Sequence, residues 1–399
     1  MSFAVLALFT ACSSDDDNTD FEGSTINNPA TYSFERNGES TISYDGQTTR
    51  IKMGQELLGE FNDNTNTFDK LNAMFAHVEG ALDFEDSNLN DSNKNLRSKV
   101  AASADYFSLN ATDQALIRTD LDGFIDAQVN EVYPNWNISA EAGVAGQLAD
   151  GERTRYVSAK GLEYNQLFAK SLIGSLMADQ MLNNYLSSAV LDGGENRANN
   201  EALILEEGKS YTTMEHLWDE AYGYAYGLNA DPANPNADLG ADSFLNEYIE
   251  RANADPDFAG IADEIFQAFK LGRAAIVAKN YKVRDGQAEI VRKRISEVIA
   301  IRAIFYLQAG KVTLESPTPN YGSAFHALSE AYGFIYSLQF TRKPNSNAPY
   351  FSKAEVDALL VDLMDDGANG LWDINANTLN TISMEIADRF EFTLEQAAE

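Results

Sequence analysis

One feature constrains the fold of this chain more than any other: an internal repeat. His216, Glu220, Ala221, Tyr222, Gly223, Tyr226 and Leu228 return 110 residues later as His326, Glu330, Ala331, Tyr332, Gly333, Tyr336 and Leu338, and Tyr224 is matched by Phe334. Only three histidines occur in 399 residues, and two of them fall at matching points of the repeat. Such self-similarity predicts a duplicated helical unit, each copy supplying one such helix.

The spacing has geometric consequences. A His and a Glu four residues apart share one helix face, one turn from each other. A glycine inside a helix costs about 1 kcal/mol against alanine, and close approach of another helix is the usual compensation. The two repeat helices are therefore expected to cross near Gly223 and Gly333. About a pseudo-twofold axis, His216, Glu220, His326 and Glu330 would converge. Imidazole and carboxylate together suit zinc or iron. The alternative is a hydrogen-bonded network inside a helix interface. Asp219, Tyr222 and Tyr332 stand beside these positions and join them as candidate site residues. His77 stands alone and reads as structural.

Helical spacing dominates the rest of the chain. Leu57, Leu58 and Phe61, then Phe68, Leu71, Met74 and Phe75, follow steps of three and four from Met53 onward. Thr112 is expected to cap a helix over 113–131, which Pro134 stops. The longest apolar stripe predicts a helix over 156–191, ended by Asp192, Gly193 and Gly194. Further helices are expected at 211–228, 242–252, 258–281, 285–310, 321–339, 353–364 and 378–389. Pro232 and Pro235 mark a loop over 231–238. The fold class is all-α, as two packed helical bundles, with halves near 54–230 and 240–390. Ahead of them, Tyr32, Phe34, Ile42, Tyr44 and Ile51 alternate with polar residues. Gly38 and the Asp45, Gly46 pair read as turns, giving a short hairpin or extended lead-in over 32–53. The Asp- and Asn-rich stretch 85–95 lacks the ordered acidic spacing of a calcium loop.

The N-terminus predicts location. Residues 3–11 are apolar or small and lead directly into Cys12, the layout of a secretory lipoprotein signal. No Lys or Arg precedes the apolar run, and Phe9 stands where a lipobox usually has leucine. Residues 1–11 would be the signal peptide, Cys12 the lipidated residue, and 12–31 a polar tether. Cys12 is the sole cysteine, so no internal disulfide can form. Asp15, Asp16 and Asp17 follow at once. Acidic residues outnumber basic ones 61 to 29, a formal charge of −32. That field repels nucleic acid and anionic surfaces.

Together the lipobox with its acidic tag, the lead-in from Tyr32 to Gly38 and the duplicated His/Glu unit resemble a family of Bacteroidota surface lipoproteins of unknown function. That family is similar to the imelysins, which are all-helical and associated with iron uptake. The resemblance implies an outer-membrane, lipid-anchored protein at the cell surface. It implies capture of iron, haem or another metal complex for an outer-membrane transporter. Imelysins carry a Gly-x-His-x-x-Glu motif and were first described as metallopeptidases. His216 and His326 match its histidine. Met214 and Ala324 replace its glycine, and Asp219 and Ser329 replace its glutamate. No His-Glu-x-x-His zinc motif occurs. Metallopeptidase activity is the second expectation. A glycan-binding or scaffold role is the third, with Trp136 as the one tryptophan outside an apolar helical context.

Overall fold

The computed structural model describes residues 25–398. Cys12, the signal and most of the tether lie outside the described residues. The described chain is mostly helical, with two small antiparallel hairpins. No described helix is long and apolar enough to cross a membrane.

The first hairpin pairs β1 (Glu35–Arg36) with β2 (Glu39–Ser40). Asn37 and Gly38 both take positive φ, 54° and 82°, as a two-residue primed turn requires. The helices of eight residues or more follow. They are α1 (Asp45–Glu60), α2 (Phe68–Phe75), α3 (Ala111–Ala127), α4 (Tyr164–Leu172), α5 (Thr213–Tyr226), α6 (Leu245–Ala254), α7 (Ile261–Val277), α8 (Tyr281–Leu314), α9 (Tyr321–Ser337), α10 (Lys353–Met364) and α11 (Ala376–Ala387). The second hairpin, β3 (Gly146–Asp150) with β4 (Arg153–Val157), precedes α4.

Capping sets several boundaries. Thr212 and Glu215 form a capping box at the start of α5, and Ser352 and Glu355 form another at α10. Side chains of Thr67, Asn280, Asn320 and Asn375 accept backbone N–H bonds at the starts of α2, α8, α9 and α11.

Helix α8 is the central post. It packs against α7, α9, α11 and α6. Val298, Ile299, Ala300, Ile301, Ala303 and Ile304 are all buried, so its middle is covered on every face, with the buried Arg302 guanidinium set over the Phe305 and Tyr306 rings. One contiguous core runs through the molecule. Helix α4 packs on α9, and α5 packs on α1 and α7, so helices on both sides of residue 230 interleave.

Four expectations need correction. Thr112 does not cap a helix over 113–131: α3 starts at Ala111 after Asn110, so Thr112 lies inside its first turn. Helix α1 begins at Asp45, not Met53, because Asp45 and Gly46 form its first turn rather than a loop turn. An acidic residue suits that position. The stretch 156–191 is not one helix. Its start is strand β4, α4 begins at Tyr164, and wider turns at Ile173–Ala178 and Met181–Tyr185 carry it on. Finally, the repeat helices α5 and α9 do not cross each other at their glycines. A Cβ on Gly223 would lie 2.4 Å from Tyr44 Cβ, at the start of α1. A Cβ on Gly333 would lie 2.5 Å from Lys170 Cβ, on α4. Each repeat helix is pressed against its own partner.

Candidate functional site

That packing decides what the duplicated His/Glu pairs do. On α5, His216 Nδ1 lies 3.0 Å from the Ser43 carbonyl, where the chain enters α1. Its ring stacks on Tyr211 with centroids 4.7 Å apart. One turn on, Glu220 accepts a 2.8 Å hydrogen bond from Gln47 of α1. On α9, His326 Nδ1 lies 2.5 Å from Glu163 Oε2, where the chain enters α4. One turn on, Glu330 meets the Lys170 ammonium of α4 at 3.2 Å and accepts from the Tyr248 hydroxyl at 3.2 Å. The two copies thus do the same job. The histidine holds the entry to a partner helix, and the glutamate holds a polar group on that helix.

The four side chains do not converge. Among the described residues no group of three or more His, Cys, Asp and Glu side chains could hold a metal ion. The donor set of His216, Glu220, His326 and Glu330 does not fit a zinc or iron centre, because each pair is spent on its own helix interface. His77 is likewise engaged, 2.6 Å from Asp83 and 3.2 Å from the Asn90 carbonyl.

Asp219 and Tyr222 anchor the lead-in. Asp219 is fully buried, accepts from the Tyr32 hydroxyl at 2.6 Å and pairs with Arg273 at 2.9 Å. Arg273 also reaches Glu215 at 3.1 Å, and Arg36 reaches Glu215 at 2.8 Å. Burial pushes the Asp219 carboxyl up to about 6 against the pull of Arg273. Burial opposes ionisation of Glu215 too, but Arg273, Arg36 and the Thr212 amide hold it below the ordinary value. Tyr222 stacks on Tyr32 with centroids 3.7 Å apart, and its hydroxyl donates to the Pro232 carbonyl.

Tyr332 has a different setting. It lines an open cleft of about 450 Å³ between α3, α9 and α10. Each helix contributes a pair one turn apart: Asp120 and Phe124, Tyr332 and Tyr336, Lys353 and Asp357. Leu360, Val361 and Met364 complete the apolar wall. Phe124 stands edge-on to both tyrosines, at 6.3 and 6.2 Å. The Tyr336 hydroxyl donates to Asp120 at 2.9 Å. Lys353 Nζ lies 2.8 Å from Asp357 and 4.0 Å from Asp120. Burial pushes the Tyr332 phenol up to about 12, with Asp120 and Asp357 adding to the shift. Burial also raises Asp120, while Tyr336 and Lys353 pull it back. Aromatic faces, two carboxylates and an ammonium around one open space are the ingredients of a small-molecule site. Of these residues only Tyr332 was a candidate from sequence. The i, i+4 pairing was present on all three helices, but nothing in the sequence joined the helices to one another. Trp136, the tryptophan expected to be free, is half-buried and stacks on Tyr156 at 3.4 Å.

The chain matches no curated protein and no solved structure. A family model, domain of unknown function DUF4856, matches residues 29–393, from the lead-in to beyond α11. The chain therefore belongs to the DUF4856 family.

Proposed function

We propose that this protein is a lipid-anchored capture protein of the outer-membrane surface, which holds a metal complex, foremost an iron chelate, for hand-over to an outer-membrane transporter. The observation that carries the reading is the cleft between α3, α9 and α10. A complex brings its own metal ligands, so it needs aromatic faces, hydrogen-bond acceptors and charge from the protein. Phe124, Tyr332, Asp120, Asp357 and Lys353 offer these around one opening. Location and cargo class are drawn from the resemblance to imelysins and from the Cys12 lipobox pattern, both of which are sequence-based expectations. Peptidase activity draws no support from the site, since Glu220 and Glu330 are committed to Gln47 and Lys170.

The test is calorimetric titration of the mature protein with ferric nitrilotriacetate and with haemin. Saturable binding of either, weakened about tenfold or more by Asp357→Asn with Tyr332→Leu, is expected. Binding that ignores these substitutions, or none, would reject the reading. A second reading rests on the same aromatic and carboxylate lining, which also suits sugars. Binding of neutral oligosaccharides in place of the chelates would favour it.

A further inference from the structure

The two copies of the repeat differ at one point in a way that names a ligand chemistry. Tyr222 and Tyr332 are equivalent in the repeat. The packing beside them corresponds as well: α5 meets α1 where Gly223 faces Tyr44, and α9 meets α4 where Gly333 faces Lys170. Yet Tyr222 is fully buried, while Tyr332 is only partly covered and faces the cleft.

What covers Tyr222 is the lead-in. The Tyr32 ring lies flat on it, 3.7 Å away and tilted by 6°, and the Tyr32 hydroxyl donates to the Asp219 carboxylate at 2.6 Å. The first unit therefore carries its own occupant, a hydroxylated aromatic ring read by one aromatic face and one carboxylate. In the second unit Ser329 stands at the Asp219 position, and its hydroxyl oxygen is taken by the Glu163 N–H at 2.9 Å. Carboxylates come instead from neighbouring helices, as Asp120 and Asp357. A carboxylate has about four acceptor sites. Among the described residues Asp357 has only the Lys353 ammonium as a hydrogen-bond partner, and it is about half exposed.

We propose that the cleft binds a hydroxylated aromatic ring, stacked on Tyr332 with its hydroxyl donated to Asp357 or Asp120, as Tyr32 is held in the first unit. The inference rests on the cleft being the ligand site. The ring can come from a free hydroxyaryl compound, such as the arm of a chelator, or from a tyrosine side chain. Both present the same chemistry.

The experiment measures affinities of the mature protein for p-cresol, 4-methylcatechol and toluene, and for N-acetyltyrosinamide and N-acetylphenylalaninamide. The hydroxylated member of each set is expected to bind about tenfold tighter, because a site built around a hydroxyl rejects the ring that lacks it. Asp120→Asn with Asp357→Asn should shrink that preference to about twofold, with the thermal transition used to show that the variant is folded. Preference for the catechol over the amide assigns a free hydroxyaryl source, and the reverse assigns a tyrosine side chain; either supports the proposal. Equal affinity for toluene and p-cresol overturns hydroxyl recognition and leaves the cleft as a ligand site. Ferric nitrilotriacetate or haemin binding in the cleft with no response to phenols overturns it while the proposed function stands. Silence from phenols and chelates alike overturns both.

Discussion

Asp219 shows how a single side chain can be both anchor and liability. Its carboxyl is buried, with one oxygen that has no partner among the described residues, while the other serves Tyr32 and Arg273. Folding raises its pKa from 3.8 to about 6. The protonated form is therefore favoured by the fold. This group's contribution is fully present below about pH 4 and is lost as pH climbs to about 6. Glu215 next to it runs the other way, with a depressed pKa whose benefit appears as pH rises. Comparing the protein with Asp219→Asn isolates the first effect. The cost of the substitution should be larger at pH 4 than at pH 7 by on the order of 2 kcal/mol in urea unfolding. A cost that grows with pH would show that the Arg273 pairing outweighs burial. Leu203 is a simpler case. It ends the short helix Asn196–Ala202 at φ 54°, a left-handed position where glycine is free of strain, and it is half exposed. Leu203→Gly should raise stability by about 1 kcal/mol, read as a higher denaturation midpoint.

At the scale of elements, two helix pairs are built alike: α5 on α1 and α9 on α4. Each is closed by a glycine, a histidine and a glutamate. Gly223→Ala would improve helix propensity, yet the added Cβ would meet Tyr44 at 2.4 Å. Overpacking should win, with a loss of about 1–3 kcal/mol. The histidines give a sharper test of separateness. His216→Ala and His326→Ala should each cost about 1 kcal/mol. Their double variant should equal the sum within about 0.5 kcal/mol, since the two share no partner. A large coupling energy would mean that the pairs meet after all. The cleft comes from the same scale. It exists because α3 and α10 each aim a one-turn pair at the Tyr332, Tyr336 face of α9.

For the whole molecule, the continuous core and the interleaving of helices matter most. Leu167, Phe168 and Ile173 on and after α4 are buried, and α4 packs on α9 from the far half of the sequence. A fragment ending at residue 239 would expose that face. It should show no cooperative thermal transition by circular dichroism; a sharp transition would reveal an independent first half. The formal charge of −32 makes the surface repel itself. Salt shortens the screening length from about 30 Å at 0.01 M to about 8 Å at 0.15 M. The melting temperature should therefore rise over that range.

The sequence by itself determined the helical class, the duplication and many boundaries. Periodicity and capping are local properties, and the helix expected over 353–364 matches α10, where Ser352 and Glu355 form their box. It also marked Gly223 and Gly333 as places of close approach, since a costly residue in a helix demands a reason. Tertiary structure alone decided what approaches them. One-dimensional spacing gives the face of a helix but not the identity of the neighbour, so His216 and His326 read as a pair and are in fact two separate clasps. Short strands were equally hidden: β4 shares its apolar residues with a pattern that also fits a helix start. The cleft lay furthest out of reach. Asp120, Tyr332 and Asp357 are more than two hundred residues apart at their extremes. Only the packing of α10 on α9, and of α3 on α4 with its side chains reaching Tyr332 and Tyr336, brings the three one-turn pairs around a single opening.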